Sequence, residues 1–256
     1  MLLRIKNLSV SVPGPAGETF LVSDVSFDVA EQSIVALVGG SGSGKTTTGL
    51  AVLRLLPPEL QLRGGPILWE GHNVLQFSQE RMRALRGKDM AMVFQEPLNA
   101  FNPVFKIGRQ IDEVLKYHTP LTAPQRRDKT FEWFKTVGLG DPRRVYESYP
   151  HQLSGGMRQR AMIAQAIALH PKLVIADEPT SSLDVTLQAR IIELFQKLRD
   201  ELKLSILLIT HDLGVVKHLS DEVIVLSGGK IVEAGKTKTV LSEPRQDYTR
   251  QLLAAV

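Results

Sequence analysis

The sequence contains no cysteine, which excludes disulfides, zinc–thiolate sites and Cys-ligated iron–sulfur clusters. Long apolar stretches are missing too. The apolar runs, such as Ile206 to Ile209, are of strand length and far too short to cross a bilayer. The amino terminus, Met1 to Val12, alternates Leu3 and Ile5 with Arg4 and Lys6 and has none of the apolar region of a signal peptide. A cytoplasmic location is expected, with any membrane contact made through partners. The excess of one sign of charge is small as well. The net charge is +4, with Lys and Arg spread along the chain rather than massed. A scattered surplus of this size is a solvated surface, and no nucleic-acid partner is expected from it.

What is present is a chain of 256 residues without a linker, charge block or low-complexity stretch. That length suits one large α/β domain, or a core with an inserted subdomain. The chain to about Asp28 and the stretch Pro66 to Leu75 alternate like strands of a half-buried sheet. Ile34 to Val38 is wholly apolar and ends in glycines, the pattern of a buried parallel strand feeding a loop. Thr46 to Leu56 has helical character, stopped by Pro57 and Pro58. Helical patterning then dominates from about Glu96 to His170, over Ile107 to Tyr117, Ala123 to Val137 and Gly155 to Leu169. Buried strands are expected at Leu173 to Ala176 and Ser205 to Thr210, separated by an amphipathic helix from Val185 to Leu202. Strands Glu222 to Leu226 and Ile231 to Glu233 and a helix from Tyr248 to Ala255 follow. Parallel-type strands alternating with helices imply a mostly parallel sheet with crossover connections, and the central helical run reads as an insertion into it.

Gly39-Gly40-Ser41-Gly42-Ser43-Gly44-Lys45-Thr46 fits G-x-x-x-x-G-K-[ST] between an expected strand and an expected helix. Phosphate must approach the main chain closely, and glycines allow backbone angles that turn successive N–H groups inward. The helix amino terminus adds partial positive charge. Lys45 supplies a point charge to the β- and γ-phosphates and the Thr46 hydroxyl is placed to ligate Mg²⁺, with Thr47 next along the helix. The spacing G-x-G-x-x-G of dinucleotide sites does not occur. This is a nucleoside triphosphate site.

Leu173 to Ala176 ends in Asp177, Glu178 and Pro179. A carboxylate at the carboxyl end of a buried strand can hold Mg²⁺ beside bound phosphates, directly or through water. One residue on, Glu178 could orient and deprotonate an attacking water. The alternative for the pair is capping of the following helix.

Leu153-Ser154-Gly155-Gly156-Met157-Arg158-Gln159-Arg160 resembles the signature motif of ABC ATPases. The order of motifs also matches: phosphate loop, Gln95, signature, acidic strand, Ser181-Ser182-Leu183-Asp184, then His211. The resemblance covers nearly the whole chain. It implies an α/β fold with a P-loop NTPase (RecA-like), mostly parallel core, an N-terminal antiparallel β subdomain and an inserted α-helical subdomain. About 1–95 and 171–256 would form the ATP-binding core and about 96–170 the helical subdomain of a single nucleotide-binding domain. Ser154, Gly155, Gly156 and Met157 open a helix and offer a hydroxyl and free N–H groups to an anion. In the family that anion is the γ-phosphate held by a second ATPase subunit packed head to tail. By resemblance Gln95 senses Mg²⁺ and the lytic water, Asp184 lies at the dimer seam and His211 meets the γ-phosphate; ATP and Mg²⁺ are the implied cofactors. Asp184 could otherwise be a charge at a helix amino terminus. The same four letters recur at Leu226-Ser227-Gly228-Gly229, between two strand-like runs, where Gly-Gly reads as a hairpin turn. His72, His118, His151, His170 and His218 form no metal-ligand spacing. The aromatic on which relatives stack adenine falls near Val12, with Phe20 the nearest ring, and Gln32-Ser33 stands where relatives carry Gly-Glu.

Phe94-Gln95-Glu96-Pro97-Leu98-Asn99-Ala100-Phe101-Asn102-Pro103 is similar to the oligopeptide, dipeptide and nickel importer branch of that family. Tyr149 to Gln152, Asp184 to Ala189, Thr210 to Val216 and Asp247 to Leu253 are similar to it as well. The branch implies two transmembrane permease subunits, with Phe101 to Phe105 in the groove that receives their coupling helix. It also implies an extracytoplasmic solute-binding protein, a partner ATPase that is a paralogue or a second copy, and a place on the cytoplasmic face of the inner membrane. The other reading is an accessory ATPase of a soluble enzyme complex, as in phosphonate carbon–phosphorus bond cleavage.

Overall fold

The structure, a computed structural model, describes residues 1–14, 17–181 and 183–254, with Leu98 and Asn99 described by their backbone alone. Ser182 and Ala255, named in the sequence expectations, lie outside the described residues. The chain divides into two compact units, Met1–Arg83 with Arg199–Val256, and Ala84–Leu198.

The first unit begins with β1 (Leu3–Gly14) and β2 (Gly17–Val29), then β3 (Ile34–Val38), α1 (Lys45–Val52), β4 (Gln61–Leu62), β5 (Ile67–Trp69), β6 (His72–Asn73) and most of α2 (Gln79–Leu85). β1 and β2 form an antiparallel ribbon, with β5 and β4 pairing on β1. Their alternation is that of one covered face: Leu3, Ile5, Leu8 and Val10 are buried. Arg4 clasps the Asp28 carboxylate across the ribbon at 2.8 and 2.9 Å. The second unit contributes β7 (Met90–Val93), α3 (Pro97–Ala100), α4 (Ile107–His118), α5 (Ala123–Thr136), α6 (Pro142–Glu147), α7 (Gly155–Ile167), β8 (Leu173–Asp177) and most of α8 (Val185–Leu202). The chain returns to the first unit for β9 (Ser205–Thr210), α9 (Leu213–Leu219), β10 (Glu222–Ser227), β11 (Lys230–Lys236), α10 (Thr237–Ser242) and α11 (Asp247–Ala254).

In the first unit β3 lies between β9 and β10 and is parallel to both. Every residue of β3 and of β9 is buried, which is the reason these runs are apolar throughout rather than alternating. β10 and β11 form an antiparallel hairpin across Gly228 and Gly229, at φ 54° and 76°. This is the paired positive-φ turn that Gly-Gly favours, and the second Leu-Ser-Gly-Gly is a hairpin as its context indicates.

In the second unit β7 and β8 pair in parallel. The helices carry their apolar stripes at helical spacing: Ile107, Ile111 and Leu115 of α4 are buried. Trp133 and Phe134 of α5 are buried too, with the Trp133 indole N–H donating to the Ala168 carbonyl at 3.1 Å. Gly108 is needed for close approach, since a Cβ there would stand 2.2 Å from the Tyr146 ring.

Two expectations are corrected. The helix after the phosphate loop ends at Val52, not Leu56. Arg54 adopts φ 52° and its guanidinium donates to the Phe77 carbonyl at 2.6 Å and the Val74 carbonyl at 3.3 Å. That anchor ends the helix before the prolines are reached. Pro66 to Leu75 is not one strand but the hairpin β5–β6, turned by Glu70 and Gly71 at φ 47° and 81°, followed by a 3₁₀ turn over Val74–Gln76. α2, α6, α9 and α10 are short helices that the periodicity did not reveal. Among the described residues no helix is long and apolar enough to cross a membrane.

Candidate functional site

The loop between β3 and α1 is shaped by approaches that only glycine permits. At Gly39 a Cβ would lie 2.2 Å from the Leu226 carbonyl oxygen of β10. At Gly44, with φ 97°, it would lie 2.6 Å from the Leu21 carbonyl oxygen of β2. The neighbouring strands therefore press on the loop from two directions, and it turns into α1 through a left-handed residue. Leu21, Gly42, Ser43, Gly44, Lys45, Thr46 and Thr47 line a cleft of about 190 Å³. Lys45 is buried, and its Nζ donates to the carbonyls of Gly39 and Gly40, both at 2.9 Å. A cation held on the loop's own carbonyls can exchange them for phosphate oxygens, while the first N–H groups of α1 have no acceptor within the helix.

β3 and β9 are hydrogen-bonded neighbours with Val38 opposite Thr210. Gly39 and His211 thus leave adjacent strands at the same edge of the sheet, strands that lie about 4.8 Å apart. His211 is exposed. Behind it Asp212 caps α9, its carboxylate accepting from the N–H groups of Gly214 at 2.8 Å and Val215 at 3.1 Å, and its own N–H donates to the Thr210 hydroxyl at 3.1 Å. These bonds fix the chain on either side of the imidazole.

The second unit repeats the arrangement. β7 and β8 pair with Val93 opposite Ala176, so Gln95 on one side and Asp177 and Glu178 on the other follow at the same edge. Gln95 is exposed, whereas Asp177 and Glu178 are buried. Glu178 adopts φ 46°, a left-handed conformation that costs a side-chain-bearing residue free energy and gathers at functional positions. Its carbonyl accepts from the Ser181 hydroxyl at 3.1 Å and N–H at 3.3 Å, which locks the turn.

Ser154 caps α7, its Oγ accepting from the Met157 N–H at 3.4 Å, and is exposed. Gly156 packs on Leu187 of α8, where a Cβ would come within 3.0 Å, but a Cβ on Gly155 would meet nothing within 4 Å. Asp184 caps α8, accepting from the Leu187 N–H at 2.9 Å. The first unit thus gathers Gly39 to Thr47 and His211; the second places Gln95 with Asp177 and Glu178, and the Ser154 to Met157 turn with Asp184.

Two participants escaped the sequence reading. Leu21 lies against the loop, and Tyr248 of α11 accepts a hydrogen bond from the Gly40 N–H at 2.9 Å. No local pattern marks either; Asp247-Tyr248-Thr249 carried only a family likeness.

Comparisons with known proteins bear on the family and the fold. A family model described as ABC transporter matches residues 22–181. The chain is 46% identical over 255 residues to the peptidoglycan transport ATP-binding protein YejF of Agrobacterium fabrum, covering 99% of this chain and 47% of that protein. It is 42% identical over 256 residues to the oligopeptide transport ATP-binding protein OppD of Bacillus subtilis, covering 100% of this chain and 72% of that one. The chain therefore spans about half the length of the first relative and about three quarters of the second. Its fold matches the dimeric structure of the ATP-binding cassette MJ0796 in a post-hydrolysis state bound to ADP and Pi. The TM-score is 0.83, with 24% identity, over 92% of this chain and 99% of that one.

Proposed function

The chain belongs to the ABC transporter family, and from that premise we propose that it is the ATP-hydrolysing subunit of a peptide importer, working as half of a head-to-tail nucleotide sandwich. The observation that carries this reading is the loop Gly39 to Thr46, in which Lys45 is held on two carbonyls at the amino-terminal end of α1. Phosphate oxygens would replace those carbonyls on Lys45, and the loop N–H groups would close around them. Thr46, Asp177 and Gln95 would hold Mg²⁺. A hydroxyl, a carboxylate and an amide oxygen are hard donors too few for a full cage, which is the set that suits an ion sharing phosphate oxygens. When bound, the ion would offset the negative charge of the phosphates.

Glu178 would orient the attacking water and take its proton. As the water oxygen bonds to the γ-phosphorus, the bond to the β–γ bridging oxygen breaks, releasing ADP and phosphate. His211 would steady the γ-phosphate and Gln95 the water, so that catalysis rests on positioning and electrostatics. Ser154, Gly155, Gly156 and Met157 would close on the nucleotide of the opposing subunit, with Asp184 at the seam. Residues 1–256 act here as one nucleotide-binding domain, with about 96–170 as its signature subdomain. Phe20 is 48% exposed, directly before Leu21 of the cleft. That placement supports Phe20 as the ring that meets adenine.

OppD, named for oligopeptide transport and similar throughout this chain, supports oligopeptides as the solute; dipeptides and nickel chelates are the other classes that the resemblance to the branch implies. The chain would sit on the cytoplasmic face of the inner membrane, bound to two permease subunits and a second ATPase and served by an extracytoplasmic solute-binding protein. Affinity purification from detergent-solubilised membranes tests this: two polytopic membrane chains and a second ATPase should co-purify, whereas recovery with soluble enzymes alone overturns the importer reading. Glu178→Gln should bind ATP and nearly stop hydrolysis; turnover within a few-fold of wild type would remove its role as base.

A further inference from the structure

The phosphate loop is tied to the C-terminal helix of the structure. The Gly40 N–H donates to the Tyr248 hydroxyl oxygen at 2.9 Å, and a Cβ on Gly40 would lie 3.2 Å from that oxygen. The peptide joining Gly39 to Gly40 is thereby held at both polar ends, its carbonyl on Lys45 Nζ at 2.9 Å and its N–H on Tyr248. Between two glycines this is the peptide freest to rotate, because no Cβ restrains it. α11 itself is anchored. The Glu233 carboxylate of β11 accepts from the N–H groups of Arg245 at 2.9 Å and Gln246 at 3.2 Å, just ahead of the helix, and Thr249 is buried.

We propose that Tyr248 is a positioning residue for the nucleotide site: its hydroxyl holds the Gly39–Gly40 peptide in the orientation that leaves the loop open to phosphate. This rests on the ATP-binding reading above. Arrival of phosphate draws Lys45 off the Gly39 carbonyl, and Tyr248 is then the restraint that remains on that peptide. Without it the empty loop samples other orientations, and apparent affinity falls in proportion to the binding-competent fraction. A net amide hydrogen bond corresponds to a change of about threefold to tenfold in that fraction.

The test uses the full chain, with MgATP binding measured by calorimetry, steady-state hydrolysis and thermal melting, for wild type, Tyr248→Phe and Lys45→Ala. Tyr248→Phe keeps the ring and removes the hydroxyl. ATP affinity and kcat/KM should fall about threefold to tenfold, kcat at saturating ATP should fall less than about twofold, and the melting temperature should hold. Wild-type affinity in Tyr248→Phe overturns the proposal, leaving the hydroxyl as a satisfied partner of an amide. A lower melting temperature with a collapsed kcat overturns it too, as general destabilisation. Lys45→Ala separates the two readings. If it abolishes ATP binding while Tyr248→Phe does nothing, only the positioning role fails; if it binds ATP normally, the ATP-site reading itself fails.

Discussion

Gly155→Ala should make the protein more stable and less active at once. Gly155 opens α7 with an ordinary helical backbone, so alanine fits without strain, and its Cβ would meet nothing within 4 Å. Replacing glycine by alanine at such a position restricts the unfolded chain and stabilises by about 0.4–1 kcal/mol. For a chain of this size that corresponds to a rise in melting temperature of roughly 1–4 °C. The adjacent Gly156→Ala is the internal control. Its Cβ would stand 3.0 and 3.4 Å from the two methyl groups of Leu187, so Leu187 must shift, and overpacking of this kind costs about 1 kcal/mol or more. Packing within the chain therefore accounts for glycine at 156 and not at 155. If Gly155 instead leaves room for the phosphate of an opposing subunit, a methyl group there blocks approach to the helix N–H groups. Phosphate release at saturating MgATP should then fall by about tenfold or more, the loss from removing one pre-aimed donor being of this order or larger. ATP affinity for the chain's own loop should be unchanged. Wild-type hydrolysis by Gly155→Ala, or a lowered melting temperature, would refute the reasoning.

Gly44→Ala combines a left-handed backbone with a Cβ set 2.6 Å from the Leu21 carbonyl oxygen. The conformation alone costs about 1–2 kcal/mol, so the melting temperature should drop and ATP binding weaken together; a variant that melts and binds like wild type contradicts the loop geometry. His170 lies edge-on to Trp133 at 4.7 Å, and burial together with the charge of Lys129 lowers its pKa below the ordinary 6.5. As pH falls through that value the unfolded chain takes a proton that the folded chain holds off, so the contribution of His170 is present above it and lost below. His170→Asn tolerates the φ of 53° and should show a smaller drop in melting temperature between about pH 7.5 and 5.5 than wild type; an equal drop discounts the histidine.

The motifs were legible where their cause is local. A glycine in the loop after β3, a serine one residue before α7 and the Gly-Gly of a hairpin each act on the backbone within a few residues. The two copies of Leu-Ser-Gly-Gly are identical in letters, yet one caps a helix and the other turns a hairpin at φ 54° and 76°. The flanking periodicity, 3.6 in one case and 2 in the other, decides between them. The same locality explains why β3 and β9 were found: strands buried on both faces are apolar at every position.

What stayed hidden depends on partners far along the chain. α1 stops at Val52 because Arg54 finds carbonyls 20 and 23 residues on, so the visible stop signal, Pro57-Pro58, misplaced the end. The phosphate loop shows the same limit at the site itself. Its glycine spacing announces a close approach but does not say to what. Leu21, Leu226 and Tyr248 are the answer, the last 208 residues from Gly40. Spacing along a sequence can specify which backbone angles a loop must adopt. Which of those angles are held is set by tertiary neighbours, and preorganisation of this kind lowers the cost of binding.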